Sequence, residues 1–132
     1  MTTSRYYLGI MTGTSLDGID VALIREDGER YHYLAHHEQP MPSALRAALQ
    51  ALCQPGDNEL HRAALAAWHH AEASAAAVAT LLEKTGLAAR DITAIGAHGQ
   101  TLRHNPDHNP PYTLQLQNPA LIAERTGIDT IA

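Results

Sequence analysis

One stretch near the N-terminus constrains this chain more than any other. Tyr6, Leu8 and Ile10 alternate with Tyr7 and Gly9, and Val21, Ala22, Leu23 and Ile24 form a short apolar run, so two strands are expected on either side of a polar connection. Asp17-Gly18 within that connection is a hairpin dipeptide, since both central positions of a type I′ turn need positive φ. An ordinary hairpin needs only two turn residues. Here Thr12, Thr14 and Ser15 surround Gly13 as well, and a glycine- and hydroxyl-rich segment following a strand can aim several backbone N–H groups at one point. Such a nest holds an anion, phosphate above all. The plainer alternative is a polar turn facing water; the surplus of hydroxyl groups favours the nest.

With 132 residues the chain is one domain by length, large enough to bury about two-thirds of its unfolded surface. A formal charge of −5, with no cluster of Lys or Arg, argues against nucleic acid as a partner. The single cysteine, Cys53, excludes an intramolecular disulfide and fits a reducing compartment. Residues 1–5 lack an apolar core of signal-peptide length and no run is long enough to span a membrane, so a cytoplasmic protein without a membrane partner is expected. Nine histidines raise the question of a metal. The neighbours His36-His37 and His69-His70 point in different directions on a strand or a helix, no His-x-x-x-His stands near an acid, and one cysteine cannot build a structural zinc site. No protein-ligated metal is expected.

Further along, the charged turn Asp27-Gly28 leads to a third strand near 31–37, completing a meander that Pro40 and Pro42 end. Ser43 is expected to cap a short helix with Leu45, Leu49 and Leu52 on one face, broken by Pro55-Gly56. Asp57 or Asn58 then caps a long helix whose apolar stripe reads Leu60, Ala64, Trp68, Ala71, Ala75, Val78 and Leu82, ending near Gly86. Residues 92–97 form a short, β-branched run expected as a buried parallel strand reached by helical crossover. The ends of such strands line ligand crevices, which places His98-Gly99-Gln100-Thr101 where chemistry is expected. A loop over 105–111, an alternating segment over 112–117, a helix opened by Asn118-Pro119 and closed by Gly127, and a final strand complete the chain.

Three ordered segments resemble the anhydro-N-acetylmuramic acid kinases, bacterial cell-wall recycling enzymes of the actin/hexokinase/Hsp70 ATPase type. They are Leu8-Gly9-Ile10-Met11-Thr12-Gly13-Thr14-Ser15-Leu16-Asp17-Gly18-Ile19-Asp20, Ile95-Gly96-Ala97-His98-Gly99-Gln100-Thr101-Leu102-Arg103-His104, and Asn118-Pro119-Ala120-Leu121-Ile122-Ala123-Glu124-Arg125-Thr126-Gly127-Ile128-Asp129. The resemblance runs the length of the chain but covers only the N-terminal part of a family member. It implies an α/β fold: one ribonuclease H-like lobe of the actin-like ATPase, with an antiparallel three-strand meander, then parallel strands, and flanking helices. Residues 1–132 would be the N-terminal lobe of a two-lobed sugar kinase, apparently truncated.

The implied reaction is ATP-dependent phosphorylation of 1,6-anhydro-N-acetylmuramic acid with hydrolytic opening of its anhydro ring. Gly13, Thr14, Ser15, Leu16, Asp17, Gly18, Ile19 and Asp20 match the ATP-phosphate segment, and His98, Gln100 and Arg103 fall where the amino sugar is bound. ATP would bring Mg²⁺, whose water shell Asp17 or Asp20 could hold; equally, Asp17 is a hairpin residue and Asp20 a strand-edge charge. Asn118 reads mainly as a helix cap. Two departures stand out: Thr12 where Ser is usual, and Gln117 where Gly is usual, which would strain the loop if that position needs positive φ. The catalytic base and the second nucleotide-binding lobe are implied beyond Ala132, so the fragment is expected to be inactive and to self-associate through an exposed interface. The competing reading is a non-enzymatic module that keeps the lobe fold as a binding unit.

Overall fold

The computed structural model of the chain describes residues 3–132. Three antiparallel strands open it: β1 (Arg5–Thr12), β2 (Gly18–Asp27) and β3 (Arg30–Pro40). Helices α1 (Ser43–Leu52) and α2 (Glu59–Thr85) follow, then β4 (Ile92–Ala97), β5 (Gln100–Asn105), β6 (Tyr112–Leu116), α3 (Pro119–Thr126) and β7 (Thr130–Ile131). The main sheet has five strands in the order β3-β2-β1-β4-β7, with β1 at its centre. β4 lies parallel to β1 and β7 parallel to β4, as the crossover argument expects. This is an α/β fold with a mixed sheet, an actin-like ATPase lobe.

Strand alternation decides which face is covered. Leu8, Ile10 and Thr12 of β1 are buried with Ile19, Val21 and Leu23 of β2 and Ile95 and Ala97 of β4. The registers Leu8↔Leu23, Ile10↔Val21 and Leu8↔Ile95 put them on one surface. α2 packs against β2, β3, α1 and α3. The opposite surface carries Gly9, Met11 and Gly96 exposed to solvent.

Several local expectations are corrected. The connection β1–β2 is not a type I′ turn at Asp17-Gly18. Its positive φ falls on Leu16 (58°), whose amide donates to Gly13 O at 3.2 Å. Gly18 already belongs to β2 and is required by space: a Cβ there would lie 2.9 Å from Gln39 O of β3. Ser43 is the first residue of α1, behind Pro42, and makes no capping bond; Asn58 sits at the N-cap of α2 with φ 55°, again without a side-chain cap. α1 buries Leu45, Leu49 and Leu52 as expected. α2 keeps only part of the predicted stripe: Ala71 and Val78 are buried and Leu82 packs against the core, but Leu60 is 91% exposed and Trp68 45%, and the rest of the buried face is Ala66, His70, Ser74, Ala77 and Leu81. Residues 100–105, whose first two were read as part of the site turn and whose last was read as the start of a loop, are a strand that pairs with β6 in a separate two-stranded sheet. Asn118 caps α3 by accepting from Leu121 N at 3.1 Å, with Pro119 as first helical residue. Gln117 does not adopt positive φ, so no strain arises there.

Candidate functional site

The site is built where β1 ends beside the end of β4. Residues 13–17 leave the sheet between β1 and β2. Gly13, Thr14, Ser15 and Asp17 are exposed, whereas Leu16, Gly18 and Ile19 are buried. The segment read as phosphate-binding therefore divides in two. Leu16 (3% exposed) and Ile19 (0%) anchor the loop in the core, and the polar residues form its outer rim. Among the described residues, the amides of Gly13, Thr14 and Ser15 have no hydrogen-bond acceptor, while that of Leu16 closes the turn. Free amides on a loop pinned from below are the elements of an anion nest. Asp17 faces Arg46 of α1 at 3.4 Å, and the same guanidinium lies 3.4 Å from Ser15 O, so α1 holds the rim. Asp20 sits on β2 with its carboxylate 2.9 Å from His36 Nε2.

The β4–β5 turn is fastened against the base of this loop. His98 N donates to Ile10 O at 3.1 Å, Thr12 Oγ1 donates to Gly99 O at 3.1 Å, and Gln100 Nε2 donates to Gly13 O at 3.3 Å. Gly99 has φ 79°, and a Cβ there would lie 2.7 Å from Leu116 O and 3.0 Å from Gln117 Cβ, so only glycine fits this corner. His98 is exposed, with Nδ1 3.1 Å from Gly99 O. A carbonyl only accepts, so Nδ1 donates in this contact. Gln100 is 1% exposed. Its Oε1 and that of Gln117 are buried with no partner. An orphaned buried acceptor costs about 1–3 kcal/mol, so these oxygens call for a donor.

Arg103 stands apart from this group. Its Nη2 donates to Leu52 O at 3.2 Å and to the Glu59 carboxylate, fastening the corner between α1 and α2. The sequence reading missed one participant, His70 of α2, which is 2% exposed with Nε2 3.3 Å from Thr12 Oγ1. Burial pushes its pKa down from 6.5 to about 4. Nothing in the run His69-His70 marks the second histidine as inward-facing; only the orientation of α2 does. A separate groove of about 750 Å³ between α1 and α2 is lined by Leu45, Leu65 and Ala73 together with Gln39, Arg62, His69 and Glu72.

A central parallel pair, a meander on one flank and a polar loop off the first strand define the class: a single lobe of the actin-like ATPase fold. The family model for anhydro-N-acetylmuramic acid kinase matches residues 5–132. Among curated relatives, the anhydro-N-acetylmuramic acid kinase of Cupriavidus pinatubonensis is 54% identical over 128 residues, covering 96% of this chain and 34% of that protein. The Bordetella pertussis protein of the same name is 55% identical over 128 residues (97% and 33%), and that of Pseudomonas putida 49% over 126 residues (96% and 34%). The chain belongs to the anhydro-N-acetylmuramic acid kinase family. It spans about a third of the length of the curated relatives it matches.

Proposed function

We propose that the chain is the N-terminal lobe of a kinase that opens 1,6-anhydro-N-acetylmuramic acid with water and phosphorylates it at the expense of ATP, in cytoplasmic peptidoglycan recycling. The observation that carries this reading is the adjacency of two unfilled features. Free amides at Gly13, Thr14 and Ser15 lie beside Gln100, whose Nε2 is bound to Gly13 O and whose Oε1 has no partner. Amides and hydroxyls of Thr14 and Ser15 suit the β- and γ-phosphates. Gln100 and His98 suit ring hydroxyls or the acetamido group of the amino sugar. Arg103, oriented by Glu59, has N–H groups beyond those used there for the lactyl carboxylate.

In this reaction water attacks C1 and the C1–O6 bond breaks. O6 takes the γ-phosphoryl group, the bond to the β-phosphate oxygen breaks, and ADP leaves. The base that takes the proton from water belongs to the two-thirds of the relatives' length that this chain does not span. Asp17 and Asp20, both about half exposed or more, would hold Mg²⁺ through its hydration shell, where the ion would offset phosphate charge. Homo-oligomerisation is part of the same proposal; nucleic acid and membrane are not. Among the described residues no helix is long and apolar enough to cross a membrane.

The test is release of ADP from ATP in the presence of 1,6-anhydro-N-acetylmuramic acid. The full-length gene product is expected to show turnover dependent on the sugar, and the 132-residue chain none. ATP hydrolysis indifferent to the sugar in the full-length protein would refute the substrate assignment.

A further inference from the structure

His70 is the one polar ring on the face of α2 that meets the sheet, where its companions are Ala66, Ala71, Ala77, Val78 and Leu81. A leucine there would bury more apolar surface and desolvate nothing. The imidazole instead forgoes hydration for one hydrogen bond to Thr12 Oγ1, itself 3% exposed. The donor order follows from chemistry. Gly99 O only accepts, so the Thr12 hydroxyl proton is spent on it at 3.1 Å, and Thr12 Oγ1 must accept from His70 Nε2–H at 3.3 Å. The ring is thus a neutral Nε2–H tautomer, and the chain His70→Thr12→Gly99 runs from helix to loop base to substrate turn. Thr12 directly precedes Gly13, and Gly99 directly precedes Gln100.

We propose that His70 is a positioning residue for phosphoryl transfer: it fixes the Thr12 hydroxyl and through it the spacing between the phosphate loop and the His98-Gly99-Gln100 turn. This rests on the function proposed above. The other two ties between these segments, His98 N to Ile10 O and Gln100 Nε2 to Gly13 O, come from the segments themselves; His70 reaches the base of the loop from a helix, whereas Arg46 of α1 holds only its outer rim. A helix is a stiffer reference than either loop, so losing this tie leaves both ligand halves present with their relative placement loosened. Misplacement of that kind lowers turnover more than ground-state binding.

The experiment uses the full-length gene product, with the wild type's sugar-dependent ADP release measured first. His70→Leu is expected to lower kcat about tenfold or more with a smaller change in KM, and His70→Gln, which offers an amide N–H near the position of Nε2, to recover most of it. Thr12→Val should cost a similar factor, and adding it to His70→Leu should cost less than about twofold more, because both break one chain. Backbone hydrogen exchange at 97–101 and 12–16, read in the same variants, should accelerate in His70→Leu and return toward wild type in His70→Gln, whatever the melting temperature does. The proposal is overturned if His70→Leu keeps kcat and exchange within about twofold of wild type, or if the two substitutions multiply. A wild type without sugar-dependent turnover defeats the proposed function instead, and the exchange data still decide whether His70 holds the turn.

Discussion

Leu16 is a bulky residue in the left-handed region, at φ 58°, with 3% of its surface exposed. That backbone costs an L-residue about 1–2 kcal/mol, and burial of the side chain offsets it. The sequence pointed to Asp17-Gly18 for the turn because dipeptide statistics favour it. What prevailed was the need to plug the loop into the core, which no local rule encodes. Truncation to Leu16→Ala is expected to destabilise by about 2–5 kcal/mol in urea unfolding. Because the site is left-handed, Leu16→Gly should be the more stable of the two, by about 1 kcal/mol, reversing the usual order. A less stable Gly variant would contradict the account. His70 gives a pH signature. Its folded pKa of about 4 lies below the ordinary 6.5, so the unfolded chain takes up the proton first. Stability is whole above pH 6.5 and falls as pH drops through the window from 6.5 to 4, by about 3 kcal/mol at most. His70→Leu should remove that part of the acid slope in a series of urea midpoints; parallel slopes for the two proteins would refute it.

At the scale of elements, what could be read in advance were strands with clear alternation and helices with strong end signals. The meander, the buried β4, the Asn118-Pro119 start of α3 and the Gly86 and Gly127 ends all appear where their residues signalled them, although the third strand, read near 31–37, runs from Arg30 to Pro40. α2 was found but turned wrongly about its axis. With alanine on every side its apolar contrast is weak, and His70 and Ser74, both polar, occupy the buried face. β5 was missed because Gln100-Thr101-Leu102-Arg103-His104-Asn105 has no alternation of its own and exists as a strand only by pairing with β6. Arg103, assigned to substrate by resemblance, is in the structure the clasp between Leu52 and Glu59, a tertiary tie invisible in one dimension. The rotation of α2 makes a sharp comparison. Leu81→Ala, at 0% exposure, should cost about 2–5 kcal/mol, and Leu60→Gln, at 91%, no more than about 0.5 kcal/mol, both by denaturant midpoint. Equal losses would restore the predicted stripe.

At the scale of the molecule, one face of the central sheet is covered by helices and the other shows Gly9, Met11 (55% exposed) and Gly96. Ile131 of the edge strand β7 is 66% exposed. A polypeptide of these 132 residues expressed alone is therefore expected to self-associate, with sedimentation that depends on concentration. Monomers at every concentration would show that this surface needs no partner. On the proposed function, the same loop and turn offer donors for phosphate and for a sugar at a spacing set by the ties of Thr12 to Gly99 and of Gln100 to Gly13. The central claim is that residues 13–17 receive the nucleotide's phosphates. A crystal structure of the full-length gene product with a non-hydrolysable ATP analogue tests it most directly. Phosphate oxygens within about 2.7–3.2 Å of the Gly13, Thr14 and Ser15 amides are the predicted result; a nucleotide bound elsewhere, with those amides still facing water, would contradict it.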